Sequence, residues 1–89
     1  MRRILQRNQF RRDYKIALRR GKDIEKLHAI VNILAEEGRL DSAYRPHKLS
    51  GEYEGWWECH IESNWLLVFD TTREAVILFR TGSHTDLFG

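Results

Sequence analysis

The first third of the chain spaces its apolar residues as an amphipathic helix does. Between residues 9 and 20 one helical face is apolar and consists of Phe10, Tyr14, Ala17 and Leu18. Asn8 is a candidate N-cap for this helix, and Gly21 follows its last turn. Residues 2–6 before it form a candidate strand. The pattern predicts a short strand followed by a first helix.

A second helix follows after a short turn. Asp23 starts it, Gly38 stops it, and its apolar stripe consists of Ile24, Leu27, Val31 and Leu34. Because the connection is short, we expect the two helices to be antiparallel.

Beyond residue 55 the pattern changes to that of β-strands. The runs WWECHI, NWLLVFD and AVILFR are rich in aromatic and aliphatic residues, and SN at 63–64 and TTRE at 71–74 are typical of hairpin turns. The predicted order is β, α, α, β, β, β, with a turn or short helix at 83–88. This order predicts an α+β fold, in which a small antiparallel sheet carries two helices on one face and leaves its other face open.

Length and composition narrow the class of protein. The 89 residues suit one domain over 1–89. No apolar run reaches the length of a membrane span, and the first residues lack the apolar centre of a signal peptide, so we expect a cytoplasmic protein without membrane contact. Cys59 is the only cysteine, which excludes an internal disulfide, and we expect its side chain to be buried.

The net charge of +2 conceals an uneven distribution. Residues 1–26 hold ten Lys and Arg against three acids, whereas residues 27–89 hold five against ten. Such an asymmetry indicates a surface that faces a polyanion, and the phosphates of RNA or DNA are the usual polyanions. A solvated basic helix face would have the same composition, so composition leaves both interpretations open.

Three of the four histidines fall at predicted strand ends or in loops. His47 precedes the sheet, His60 ends the first hairpin strand, and Arg80 and His84 follow the last strand. A rigid sheet can hold such residues around a shallow site, although a single histidine is more often structural. A zinc site of His60, Glu62 and either His47 or His84 is the alternative. Its spacings are irregular, so we expect no metal and no cofactor.

Three ordered motifs carry a resemblance to a known family. They are HKLSGEY at 47–53, WECHIESNWLLVFD at 57–70 and LFRTGSHTDLFG at 78–89. Over nearly its whole length the chain resembles the YafQ-type toxins of the RelE-like superfamily of bacterial toxin–antitoxin systems. The resemblance implies a RelE-like fold and a ribosome-dependent endonuclease that cuts mRNA in the decoding site of the 70S ribosome and thereby inhibits translation.

The chemistry that the resemblance implies needs no metal. The ribose 2′-hydroxyl attacks the adjacent phosphate and leaves a 2′,3′-cyclic phosphate and a free 5′-hydroxyl, which requires a base, an acid and positive charge near the transition state. The family's catalytic positions correspond to His47, His60, Arg80 and His84, with Arg80 as a phosphate clamp. We favour His84 and His60 as the acid and base and His47 as a phosphate-positioning residue, because histidine titrates near neutral pH.

The resemblance also implies RNA contacts away from the reacting atoms. Trp65 and the terminal Phe88 take family positions, and Phe88 could stack on a nucleobase or instead dock the C-terminus on the core. Basic side chains of the first helix are expected to dock on rRNA phosphates without selecting codons, and these are Arg11, Arg12, Lys15, Arg19 and Arg20.

Two positions depart from the family pattern. Asn64 stands where the family has Asp, and an amide cannot take up a proton at neutral pH. This residue is therefore either an introduced inactivating change or a natural variant. Trp57 stands where several relatives have Arg, and Arg45 or Lys48 could replace the missing phosphate contact.

The implied partner is a small ribbon–helix–helix antitoxin of the DinJ type. We expect a free monomer, a heterotetramer of two toxins around an antitoxin dimer, operator DNA contacted mainly through the antitoxin, and inhibition by occlusion. A noncatalytic toxin-like subunit that binds antitoxin and co-represses an operon is the alternative, and Asn64 favours it. A ribonuclease that acts on free RNA is a third interpretation.

Overall fold

A computed structural model describes all residues, 1–89. The elements in chain order are β1 (Arg3–Gln6), α1 (Asn8–Arg19), α2 (Ile24–Glu37), β2 (His47–Lys48), β3 (Trp57–Glu62), β4 (Trp65–Thr71), β5 (Ala75–Gly82) and α3 (His84–Phe88). Two 3-10 turns, Ser42–Tyr44 and Gly51–Tyr53, lie on either side of β2. The predicted order of helices and strands is confirmed, with β2 as an additional short strand. No helix has both the length and the apolar character needed to span a membrane.

The strands form one sheet in the order β1-β5-β4-β3-β2. All neighbours are antiparallel except β1 and β5, which run parallel with Arg3 opposite Ala75. The sheet is therefore mixed, whereas we expected it to be antiparallel throughout. Strands joined by tight turns must be antiparallel, but β1 and β5 are separated by most of the chain and are free to pair in parallel.

The two long helices cover one face of the sheet, as predicted. The side chains packed between these helices and the sheet form the main core, which includes Phe10, Leu27, Ile30, Leu34, Leu67, Phe69, Val76 and Leu78. Asp23 caps α2 by accepting a hydrogen bond from the Glu25 N–H, and Gly38 ends α2 at a φ of 77°, which favours glycine. Cys59 is buried, as expected, and burial raises the pKa of its thiol to about 12.

Two details of α1 differ from the prediction. Asn8 is its first helical residue, and the cap position belongs to Arg7, whose side chain makes no capping bond. Leu18 leaves 49% of its surface exposed. The buried face of α1 consists instead of Phe10, Asp13 and Ala17, at spacings of three and four residues, so Leu18 lies off the face that packs on the sheet.

The opposite face of the sheet is partly covered, whereas we expected it to be open. Tyr53 and Leu87 close over Leu66 and Val68 of β4, and all four side chains are buried. The Tyr53 hydroxyl donates a hydrogen bond to the Leu87 carbonyl oxygen at 3.0 Å. This second core fixes α3 on the sheet, and Leu87 anchors the C-terminus while Phe88 stays 42% exposed.

Candidate active site

The register of the strands places the predicted catalytic residues on the face of the second core. One cross-strand row consists of His47, Glu58, Val68 and Arg80. The neighbouring row consists of His60, Leu66 and Gly82. Directly opposed residues share a face of the sheet, so His47, His60 and Arg80 lie on the same side as Val68 and Leu66. His84 begins α3 two residues after Gly82 and completes the group.

Arg80 is held by a buried carboxylate. Its Nε and Nη2 donate to the two Asp13 oxygens at 2.7 and 3.2 Å, and its Nη1 donates to the Tyr53 hydroxyl at 3.1 Å. The hydrogen bonds to Asp13 raise the pKa of the guanidinium above its ordinary value. Three of the five guanidinium N–H groups are used in this way, so two remain for another acceptor on a side chain that is 19% exposed.

Asp13 was not among the predicted site residues. It also accepts a hydrogen bond from the Thr81 N–H at 3.1 Å, beyond the point where β1 stops pairing with β5. The signal was present in the sequence, because Asp13 lies three residues after Phe10 and four before Ala17, on the apolar stripe itself. A lone carboxylate on such a stripe requires a cationic partner.

Both ring nitrogens of His47 have a polar neighbour. Its Nδ1 lies 3.0 Å from the Arg45 carbonyl oxygen, which can only accept, so Nδ1 carries a proton. Its Nε2 lies 3.2 Å from Oε1 of Glu58, whose other oxygen is buried without a partner. Because the Arg45 carbonyl oxygen and Glu58 Oε1 occupy the two ring nitrogens, neither nitrogen is free to abstract a proton from a substrate. Glu58 was also missed, although strand alternation places it on the same face as His60.

His60 has a partner for each of its protonation states. Nδ1 lies 3.1 Å from Nη2 of Arg45, a permanent donor, and 3.3 Å from the carbonyl oxygen of Ser63, a permanent acceptor. Neutral imidazole can accept from Arg45, and imidazolium can donate to Ser63. Arg45 thus contacts both His47 and His60, and it does so from a left-handed backbone at φ 50°, where a residue other than glycine is strained.

His84 has a ring that makes no hydrogen bond to the protein. The ring is exposed and lies 5.0 Å from the Phe88 ring, centroid to centroid. Its backbone N–H donates to the side-chain oxygen of Asn64 at 3.0 Å. Both imidazole nitrogens are therefore available to a substrate.

Ionic and capping bonds fix α3 to the rest of the fold. Ser83 and Asp86 form a capping box at its start. The Asp86 carboxylate also receives Nη1 and Nη2 of Arg20 at 2.6 and 3.2 Å, which holds the pKa of that carboxyl well below its usual range. Arg20, expected to face rRNA, thus ties α1 to the helix that carries His84.

The other predicted RNA-binding residues divide into two groups. Trp65 is 1% exposed and donates its indole N–H to Thr81 Oγ1 at 3.0 Å, so the expectation of a direct RNA contact is wrong. The side chain points into the main core because β4 alternates its faces. Trp57 also packs against that core. By contrast, the remaining predicted side chains are exposed, namely Arg11, Arg12, Lys15, Arg19, Lys48 and Phe88.

The residues of the alternative zinc site are not brought together. Glu62 pairs with Lys26 at 2.9 Å and with Lys22 at 3.9 Å, and a bulge separates it from the register of His60. No group of three or more His, Cys, Asp or Glu side chains is arranged to hold a metal ion.

Comparisons with known proteins agree with this fold and this order of motifs. The curated protein "mRNA interferase toxin YafQ" of Escherichia coli (strain K12) is 34% identical over 82 residues, which cover 91% of this chain and 89% of that protein. A chain in the crystal structure of the E. coli DinJ-YafQ complex matches this chain with a TM-score of 0.89 and 33% identity. The match covers 100% of this chain and 100% of that chain. The crystal structure of a metal-bound toxin from Helicobacter pylori matches with a TM-score of 0.88 and 34% identity. This match covers 99% of this chain and 100% of that toxin's chain.

The family comparison extends over almost every residue. A family model described as "Bacterial toxin of type II toxin-antitoxin system, YafQ" matches residues 2–89, and this span includes all three motifs, both long helices and α3. Together with the relatives above, this match shows that the chain belongs to the YafQ family of bacterial toxins of type II toxin–antitoxin systems.

Proposed function

We propose that the chain is a ribosome-dependent endoribonuclease that cuts mRNA in the decoding site, and that the reaction takes place on the face of the second core. The observation that carries the proposal is the free, exposed ring of His84 on the face that also holds His60 and Arg80. The relative named an mRNA interferase toxin supports the reaction class. Such an enzyme acts in the bacterial cytoplasm.

Two histidines divide the proton transfers between them. One takes the proton of the 2′-hydroxyl as its oxygen bonds to phosphorus, and the other gives a proton to the 5′-oxygen as the P–O bond breaks. His84 suits either role because both ring nitrogens are free. His60 suits either role when its Nδ1–H donates to the Ser63 carbonyl oxygen, because Nε2 is then left to take or to give a proton. The products are a 2′,3′-cyclic phosphate and a 5′-hydroxyl, and no metal takes part.

Arg80 and His47 supply positive charge to the phosphate. Arg80 is fixed by Asp13 and keeps two N–H groups for non-bridging oxygens. His47 lies between the Arg45 carbonyl oxygen and Glu58 and adds positive charge when both of its ring nitrogens are protonated. Preorganised donors of this kind stabilise the charge that develops in the transition state.

A cleavage assay on translating ribosomes tests this function. Primer extension on ribosome-bound mRNA should show new 5′ ends within codons, and His84→Ala should abolish them. Arg73→Gln, an exposed residue outside the site, serves as a control and should leave cleavage measurable. The same mRNA without ribosomes should stay intact. Cleavage of free RNA would contradict the proposal.

A modified substrate identifies the acid. An mRNA with sulfur in place of the 5′-bridging oxygen at the scissile position has a leaving group that needs no proton. We expect this substrate to restore cleavage to only one of the variants His60→Ala and His84→Ala, and that residue is the acid. Rescue of both variants or of neither would reject the division of roles.

The antitoxin is the second partner that we propose. A YafQ relative is crystallised with DinJ, and this chain exposes basic side chains on α1 that suit an acidic segment. We expect two toxins around an antitoxin dimer, operator DNA bound mainly by the antitoxin, and occlusion of His84 and Arg80. Size-exclusion chromatography with light scattering on the co-expressed pair measures the stoichiometry, and a 1:1 complex would contradict it.

Asn64 favours a second candidate, a noncatalytic subunit that binds antitoxin and co-represses its operon. The family's carboxylate is absent here, and with it any proton transfer by this side chain. Expression of Asn64→Asp should arrest growth if the chain is a nuclease that the amide has weakened. Unchanged growth, no new mRNA ends and intact antitoxin binding would establish the noncatalytic subunit.

A further inference from the structure

Five aromatic rings form a continuous series on the face of the second core. Trp56 stacks on Phe79 with centroids 4.4 Å apart and planes 19° apart, and Phe79 contacts the edge of Tyr53 at 5.9 Å. Tyr53 contacts Phe88 at 5.4 Å, and Phe88 contacts His84 at 5.0 Å. The Trp56–Phe79 stack therefore lies at one end of the series and the free ring of His84 at the other.

The Trp56 end of this series has the properties of a stacking site. Trp56 and Phe79 are only half-buried. The Trp56 indole N–H donates to no protein atom and is not buried, so it is open to solvent or to a ligand. The one cation at this end is Arg7, whose guanidinium carbon lies 5.6 Å from the centroid of the Trp56 ring.

Arg7 covers the indole only weakly. Its side chain is exposed and forms no ion pair and no hydrogen bond with the protein, so the cation–π contact is the only interaction that holds it there. Such a contact at an exposed site is weaker than the stacking of a nucleobase on an aromatic ring. A base would therefore displace the guanidinium from the ring, and the freed guanidinium could pair with the adjoining phosphate.

We infer that Trp56, Phe79 and Arg7 form a nucleobase subsite, which stacks a base of single-stranded RNA away from the scissile phosphate. This inference rests on the proposed mRNA cleavage at His84. An RNA strand is the favoured occupant because the ring series is continuous with that site and because the subsite ends in an unpaired cation. The subsite anchors the message along the ring series, and because stacking accepts any base, it adds affinity without selecting a sequence.

A binding experiment on the isolated chain tests the subsite. The probe is a short single-stranded RNA with a 2′-deoxy residue at the scissile position and one 2-aminopurine, moved through successive positions. We expect quenching of 2-aminopurine at one position away from the deoxy residue, and a roughly 5- to 100-fold loss of affinity in Trp56→Ala. Trp56→Phe should retain most of the affinity because it keeps a ring. Leu18→Ala, which shortens an exposed apolar side chain on α1, should bind as the unaltered chain does.

The outcomes separate this inference from the proposed function. Equal affinity of Trp56→Ala and the unaltered chain, or no binding of the probe at all, would overturn the subsite whatever the ribosome assay shows. Loss of affinity in Trp56→Phe as large as in Trp56→Ala would also overturn it, because the ring would not be the cause. Binding through Trp56 without mRNA cleavage would retain the subsite and reject the nuclease. Melting curves for each variant identify any loss that is due to unfolding.

Discussion

The side-chain oxygen of Asn64 accepts a hydrogen bond from the backbone N–H of His84 at 3.0 Å. This N–H lies in the first turn of α3 and has no partner within the helix. Asn64 therefore helps to orient the helix that carries the free imidazole. An amide oxygen and a carboxylate oxygen can both accept such a bond, so Asn64 keeps an orienting role although its amide cannot transfer a proton.

Replacing Asn64 separates these two roles. Asn64→Ala removes the acceptor and should lower the free energy of unfolding by about 1 kcal/mol, since an unmet helix N–H is left at a partly exposed site. Asn64→Asp should keep the stability. Urea denaturation of both variants checks this expectation. Equal stability of Asn64→Ala and the unaltered chain would show that the bond to His84 does not stabilise the fold.

The buried pair of Asp13 and Arg80 should be costly to break. Asp13→Ala leaves the Arg80 guanidinium and the Thr81 N–H without their acceptor, and we expect a loss of about 3 kcal/mol of unfolding free energy. Glu36→Ala, an exposed acid on α2, is the matched control and should change stability by less than about 0.5 kcal/mol. Chemical denaturation measures both, and similar values would refute a structural role for the pair.

The link between Arg20 and Asp86 predicts a pH dependence of stability. The pKa of Asp86 is lower in the folded chain than in the unfolded one, so its contribution is fully present above the ordinary aspartate pKa of about 3.9 and is lost as the pH falls below that value. The melting temperature of the unaltered chain should exceed that of Asp86→Asn near neutral pH. The gap should narrow as the pH drops below about 4. A gap that is constant over this range would contradict the assignment.

The exposed basic residues of α1 should set the salt dependence of ribosome binding. Arg11, Lys15 and Arg19 have no carboxylate within ion-pair distance, and we expect each to neutralise an rRNA phosphate. Changing all three to Gln should weaken binding and reduce the slope of log K against log salt by about 2 to 3. Arg73→Gln, outside α1, is the control. Filter binding across a salt series measures the slopes, and an unchanged slope in the triple variant would reject docking through α1.

Much of the fold could be predicted because local signals agree with the tertiary structure. Asp23 and Gly38 bound α2 by the chemistry of helix caps, and SN at 63–64 joins two strands of clear β pattern. The parallel pairing of β1 with β5 could not be predicted, because no local signal in a four-residue strand specifies a partner about 70 residues away. Likewise, Leu87 closes over Leu66 only because the sheet and α3 fold together.

The candidate site was predictable to a different degree. The motif histidines and Arg80 lie on one face, as the strand ends suggested. The charged residues that hold them could have been found from periodicity, since Asp13 breaks an apolar stripe and Glu58 alternates with His60. Trp65 shows the opposite error. Its position in the motif predicted an RNA contact, whereas the alternation of side chains along β4 places it in the main core.

If the His84 face cleaves mRNA by attack of the 2′-hydroxyl, the cut ends must carry the chemistry of that reaction. Mass spectrometry of mRNA recovered from programmed ribosomes should find a 2′,3′-cyclic phosphate on the upstream fragment and a 5′-hydroxyl on the downstream one. Both ends should appear with the unaltered chain or with Asn64→Asp, and neither with His84→Ala. A 5′-phosphate on the downstream fragment, cleavage that persists in His84→Ala, or no cleavage with either the unaltered chain or Asn64→Asp would rule out this mechanism.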